Sequence, residues 1–301
     1  MKKKTYLFAL MAMGLTLGSC SDNENGIGGE TSKFITVSTS IGNMTRVATD
    51  ANGGQTFEEG DEISVYAWTG DATVAPETRE RVVNNAINKL TNGSWVSTPQ
   101  MLWKNNRDKH YFIGVYPTAA ISDLSAGEYT FDVNKQTESD LLVAVNKDGL
   151  SYNVDEQQTV PLTFTHVMAK LVVNLTYKNQ WGADGPTVDK VAVGNAAKEA
   201  TINYLTKVVT PSTTAKEDFS LPEITENTKY VSVIIPQEEV KQLTIVIGGK
   251  NFVYDNGTPF KLESGKITTV NLEVGRDEIK LGDVKITDWE DGSTFSGEAI
   301  N

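Results

Sequence analysis

Apolar and polar positions alternate with period two along much of the chain. In the run 34–41, Ile35, Val37 and Ile41 share one face, with Thr36, Ser38 and Ser40 on the other. The pattern returns at Leu171, Val173, Leu175 and Tyr177, and at Val231, Val233 and Ile235. It appears again at Leu243, Ile245 and Ile247, at Val270, Leu272 and Val274, and more faintly at Ile63, Val65 and Ala67. Successive side chains of a strand point to opposite faces, so each run predicts a half-buried strand. The runs are short, rich in β-branched residues and separated by turn residues, which predicts an all-β sandwich architecture. Asn92-Gly93 and Asn256-Gly257 predict two-residue hairpin turns, because both central residues of such turns need positive φ. Pro117, Pro161 and Pro236 predict strand ends. One stretch is ambiguous. Val83, Ala86, Ile87 and Leu90 have helical spacing, whereas the Asn-Gly just beyond them favours a strand entering a hairpin.

A chain of 301 residues has room for two domains. A weak internal echo supports two similar sandwiches with a boundary near 165. The strand at 34–41 is followed by the acidic-led Asp61-Glu62-Ile63-Ser64-Val65, and the strand at 171–177 by Asp189-Lys190-Val191-Ala192-Val193.

The N-terminus has a different character. Lys2, Lys3 and Lys4 precede an apolar run, Thr5 to Leu17, that is too short to span a bilayer but suits a signal peptide. It ends in Leu17-Gly18-Ser19-Cys20, and Cys20 is the only cysteine. An apolar residue, two small residues and a cysteine form a bacterial lipoprotein signal. The pattern predicts a removed segment at 1–19 and a lipidated linker at 20–33, held to a membrane surface by acyl chains on Cys20. The acidic Ser21-Asp22-Asn23-Glu24 and the glycine-rich Asn25 to Gly29 continue as a solvated linker.

Composition narrows the chemistry. With Lys2, Lys3 and Lys4 removed, 24 basic face 39 acidic residues, a net charge of −15, which disfavours nucleic acid as a partner. One cysteine excludes an intramolecular disulfide and a cysteine-based metal cluster. The two histidines, His110 and His166, are far apart and carry no metal spacing. His166, beside an apolar strand, is expected to be a core or interdomain residue bonded to backbone. Asp288, Glu290 and Asp291 lack calcium-loop spacing. Adjacent acids such as Glu58-Glu59 and Asp61-Glu62 do not define a glycosidase pair, which depends on separation in space. No enzyme, metal or cofactor is implied; the one expected non-protein group is the lipid at Cys20.

Several segments together resemble the fimbrillin-like (Mfa-like) proteins of Bacteroides-type bacteria, lipoprotein precursors of type V pili. They begin with the lipobox at Cys20 and Thr45-Arg46 after the first strand. Phe57 to Tyr66 (FEEGDEISVY) is similar to the family's F-x-x-G-D-x-I-x-V-Y element. Trp103 with Tyr111 to Pro117 is similar to W…Y-F-x-x-Y-P, and Leu162 to Leu171 (LTFTHVMAKL) to L-x-F-x-H-x-x-A-K-L. Ser264-Gly265-Lys266 and Ile286-Thr287-Asp288-Trp289 are similar to the closing pattern, and the acidic patch after Cys20 resembles a surface-export signal.

The resemblance implies two tandem transthyretin-like β-sandwiches, at 34–165 and 166–301. It implies a precursor at the outer membrane surface and an Arg-specific protease that cuts between Arg46 and Val47. That cut removes the first strand (34–46), opens an apolar groove and exposes unpaired backbone, to be filled by a strand of another pilus subunit. The alternating tail near 279–290, with Ile279, Leu281, Val284, Ile286 and Trp289, is the candidate donor; equally, it is simply the last strand of the second domain. The subunit belongs to shaft, tip or anchor, and a tip would meet a host or bacterial receptor. The competing reading is a glycan-binding lipoprotein of an outer-membrane uptake system, with Trp68, Trp95, Trp103, Trp181 and Trp289 stacking on sugars, although large aromatics in sandwiches more commonly pack inside.

Overall fold

The computed structural model describes residues 33–42, 56–156, 158–182 and 185–289. The first half holds β1 (Thr36–Ile41), β2 (Glu62–Thr69), β3 (Arg81–Thr91), β4 (Ser94–Thr98), β5 (His110–Tyr116), β6 (Gly127–Thr130), β7 (Leu142–Leu150) and β8 (Thr159–His166). Then come β9 (Ala169–Tyr177), β10 (Val188–Ala197), β11 (Glu199–Asn203), β12 (Val208–Pro211), β13 (Lys216–Ser220) and β14 (Glu223–Thr225). The last are β15 (Lys229–Ile234), β16 (Gln237–Ile247), β17 (Lys250–Leu262), β18 (Lys266–Val274) and β19 (Ile279–Asp288).

Seven strands form one sheet in the order β1-β8-β7-β5-β2-β3-β4. Beyond His166 the chain builds β13-β10-β16-β17 and β14-β15-β9-β18-β19. A small sheet, β12-β11-β6, ties the halves together, because β6 of the first half pairs with β11 of the second. Two pairings in the large sheets are parallel, β1 with β8 and β9 with β18. The echo seen in the sequence thus has a topological counterpart at its leading strands. β19 follows β18 with no equivalent after β8.

Alternation explains where the apolar residues go. Ile63, Val65 and Ala67 of β2 enter a core on one face of the seven-stranded sheet, together with Ile35, Val37, Phe112, Leu162 and Phe164. Tyr66 and Trp68, pointing the other way, enter the larger core built with the second half. β2 is therefore buried on both faces, which is why its alternation is faint in the sequence. The clear runs at 171–175, 243–247 and 270–274 are buried at the expected positions.

Asn92-Gly93 makes the β3–β4 hairpin, with φ of 51° and 74°. Asn256-Gly257 does not turn the chain. It lies inside β17, where the four residues between Asp255 and Phe260 bulge opposite the single Lys241 of β16, and Gly248-Gly249 (φ 57° and 76°) makes the hairpin instead. Pro161 is also inside a strand. It faces Ser38 of β1, in the part of β8 that has no ladder to β7, so its missing N–H leaves no gap there. Pro117 and Pro236 do sit at strand ends. The ambiguous stretch is a single 3-10 turn at Thr78–Glu80 followed by β3. The three-residue step from Val83 to Ala86 that mimics a helix is a β-bulge at Asn84-Asn85, with Asn85 at φ 54°.

Gly114, at the centre of β5, makes room for Phe164. A Cβ built on it would lie 2.6 Å from Phe164 Cζ. Gly114→Ala is therefore expected to lower stability by about 1–3 kcal/mol, read as a fall in the urea midpoint. Adding Phe164→Leu should cost less in the Gly114→Ala background than in the parent protein, because the two side chains share one space.

Candidate strand-exchange site

β1 is held on two sides by different kinds of contact. Along its length it pairs with β8, from Thr36↔Thr159 to Ile41↔Phe164, and Gly42 N–H donates to Phe164 O at 2.8 Å. Its other side meets the far end of the same sheet. Ile35 N–H donates to Met101 O (2.9 Å), Trp103 N–H donates to Lys33 O (3.1 Å), and Trp95 Nε1 on β4 donates to Thr39 Oγ1 (3.0 Å). β1 thus fills a seat between β8 and residues 95–103 and draws the two ends of a curled sheet together.

The seat is apolar. Ile35, Val37 and Ile41 are buried in one core with Met101, Trp103, Val160, Leu162 and Phe164. Burying a side chain of this size stabilises by about 1.5–3 kcal/mol, so vacating the seat would leave a costly groove. Five residues of β8, Thr159 to Thr163, have β1 as their sole ladder neighbour; only Phe164, Thr165 and His166 pair with β7. Departure of β1 would therefore leave unpaired backbone as well as apolar surface. Sequence reasoning missed the far wall of the seat. Met101 and Trp103 point in and Leu102 points out, an alternation too short to read as a strand.

The family-like elements line this region. Phe57 stands edge-on to Trp95, Tyr116 and Phe164, with ring centroids 5.3, 5.3 and 5.1 Å away. Asp61 accepts from Glu58 N–H at 2.7 Å and from the Tyr116 hydroxyl at 3.3 Å. Glu59 accepts from Asn92 N–H at 2.9 Å, and Glu62 pairs with Lys89 at 3.1 Å. These acids secure turns and strand ends.

The tail is β19, the outermost strand of its sheet, paired antiparallel with β18 from Lys266↔Asp288 to Val274↔Ile279. Gly282 is an extra residue at a bulge. The bulge shifts the alternation by one, so that Ile279, Leu281 and Val284 all pack against the core despite the three-residue step. Ile286 is exposed and Trp289 is partly buried. Cys20, Arg46 and Val47 lie outside the described residues.

His166 is buried, and its Nδ1 bonds the Asp140 carboxylate at 2.8 Å, not backbone as the sequence suggested. His110 is fully buried between Lys104 N–H and Asp108 O, and burial pulls its pKa down. Asp288 pairs with Lys266. Among the described residues no three acidic, histidine or cysteine groups could hold a metal ion. The tryptophans form no common platform. Trp68 and Trp103 are buried, and the three others are engaged separately: Trp95 with Thr39, Trp181 Nε1 with Val274 O at 3.0 Å, and Trp289 with His166.

Packed sheets, with β1 seated between β8 and residues 95–103 and β19 at a sheet edge, define an all-β protein. The chain belongs to the fimbrillin-like family, whose model matches residues 45–289. A candidate fimbrium subunit, Fim1C, of Bacteroides uniformis is 25% identical over 319 aligned positions covering 97% of each chain. Crystal structures share the fold. A candidate cell adhesion protein of Bacteroides uniformis has a TM-score of 0.63 at 20% identity, covering 86% of this chain and 100% of that one. Another from Bacteroides ovatus has a TM-score of 0.64 at 17% identity, covering 85% and 98%.

Lys170, at the start of β9, is 3% exposed, and burial pushes its pKa down to about 8 although Asp140 favours the charge. In the unfolded chain a lysine titrates near 10.4, so between about pH 8 and 10 the unfolded state binds more protons and folding stability rises with pH. The half-buried Tyr116 and Tyr177 and the buried Tyr204, pushed up to about 12, act in the opposite sense only above pH 10. Lys170→Met is expected to flatten the pH 8–10 rise by about 1–2 kcal/mol, measured by urea unfolding at each pH.

Proposed function

We propose that this chain is a subunit of a cell-surface fimbrium that assembles by strand addition. In this reading β1 is a removable plug, its seat accepts a strand of another subunit, and β19 is the strand passed on. The carrying observation is the seat itself: β1 satisfies five residues of β8 that no other strand pairs, over an apolar floor. A strand pairing there in trans would restore both the ladder and the buried face. The Gly282 bulge gives β19 four apolar residues, Ile279, Leu281, Val284 and Ile286, that a bulged strand can present on one side. Relatives described as a fimbrium subunit and as cell adhesion proteins agree with this reading.

The remaining steps rest on the lipobox ending in Cys20 and on what the family resemblance implies. Lipid at Cys20 holds the precursor to the outer membrane, and an Arg-specific protease cuts after Arg46. The product joins other pilus subunits, as shaft, anchor or receptor-binding tip. Sugar binding is not favoured, because each of the five tryptophans is buried or engaged by packing within the protein.

Recombinant protein beginning at Ser21, briefly treated with trypsin, tests the proposal by mass spectrometry and size-exclusion chromatography. The expected result is a cut after Arg46, a resistant core and conversion from monomer to a ladder of oligomers, with Arg46→Ala remaining monomeric. A cut core that keeps its first strand and stays monomeric would overturn it.

A further inference from the structure

The end of β19 meets the end of β8, the strand that carries β1, in one cluster. Immediately after β19, the Trp289 ring lies flat on the His166 imidazole, with centroids 3.9 Å apart and planes 5° apart. The Lys170 ammonium is 5.1 Å from the centre of the Trp289 ring, and Trp289 N–H donates to Gly265 O at 3.0 Å. His166 is itself oriented by Asp140 through Nδ1. Gly265 sits at φ 67° in the β17–β18 turn, and a Cβ there would approach His166 O to 3.1 Å, so the turn presses on the same residue. Four separate parts of the chain converge on this point: the segment before β7, the end of β8, the start of β9, and the β17–β18 turn.

β19 needs such a hold. It is an edge strand with one ladder neighbour, β18, and its outward pattern includes Lys280, Asp283 and Lys285, all exposed. An aromatic stack adds to the hold beyond its buried area, and so does a cation over the ring. Either is sizeable for a strand held along a single edge.

His166 also belongs to the three residues by which β8 remains on its own sheet if β1 is gone. Phe164 is the single residue of β8 laddered on both sides, to Ile41 of β1 and to Ala144 of β7, and His166 lies two residues beyond it. Trp289 therefore stacks on the stretch that bears the load when the seat is empty. We propose that Trp289 is a clasp. It keeps β19 on its own sheet while β1 is seated, and loss of β1 loosens β19 through β8. Opening of the acceptor seat and release of the donor strand are then one event. This deepens the strand-addition reading and rests on it for its purpose, but its physical content is a coupling between two strands of a single molecule.

Coupling of this kind is reciprocal, because each strand must affect the other by the same factor. Hydrogen exchange of the intact chain from Ser21, followed by mass spectrometry, reads it directly. Trp289→Leu is expected to raise exchange of the 279–288 amides roughly tenfold, and Trp289→Phe, which keeps a flat ring on His166, to restore most of the protection. Val37→Asp, which places a carboxylate in the apolar seat, should free β1 and also speed exchange in β19. Trp289→Leu should in turn speed exchange in β1. Ile41→Ala serves as the milder variant should Val37→Asp fail to fold. Unchanged β19 exchange in Trp289→Leu would overturn the clasp, and unchanged β19 exchange with β1 freed would overturn the coupling. Both readings are made on monomer. A broken clasp in a protein that still forms ladders after trypsin would leave strand addition standing, and an intact clasp without ladders would do the converse.

Discussion

The parallel pairing of β1 with β8 is the interaction on which the account depends. β8 has two regimes: five residues that lean on β1 alone, and three carried by β7, of which Phe164 is also laddered to β1. Backbone N–H and C=O groups buried without partners are costly, so the first regime makes the seat demand a strand of some origin. The apolar floor makes the same demand independently. A seat with both requirements is filled by the chain's own β1 here and, in the proposed assembly, by another strand once β1 is gone.

The rest of the architecture keeps that seat in place. At β2, β5 and β7 the seven-stranded sheet is buried on both faces, one feeding the core under β1 and the other the larger core shared with the second half. The β6–β11 ladder and the contacts around His166 fasten the halves together. Within that scaffold β1 and β19 lie at sheet edges, each laddered to one strand, β8 and β18 respectively. Strands with few neighbours open first, and function in such a fold concentrates there.

What could be read beforehand followed from simple periodicity. The buried face of β1, the core strands β9, β16 and β18 and the Asn92-Gly93 hairpin are visible because nothing interrupts the alternation. Bulges hid the rest. At Asn84-Asn85 a three-residue step imitates a helix, and at Gly282 the same step breaks the apparent face of β19. At Asn256-Gly257 an attractive turn pair was absorbed into a bulge because Gly248-Gly249 had already turned the chain. β2 looked weak because both of its faces are apolar. Of the candidate site, the two terminal strands were legible. The wall at Met101 and Trp103 and the stack of Trp289 on His166 were not, since they join residues whose proximity is set by tertiary packing.

The most direct test of the central claim is peptide complementation. Protein trimmed after Arg46 would be titrated with fluorescent peptides spanning 34–42 and 279–290 of this chain, and binding followed by anisotropy. The account predicts saturable binding of both, in competition for one seat and abolished when Val37 or Leu281 of the respective peptide is replaced by aspartate. A trimmed protein that unfolds cooperatively yet binds neither peptide would contradict it.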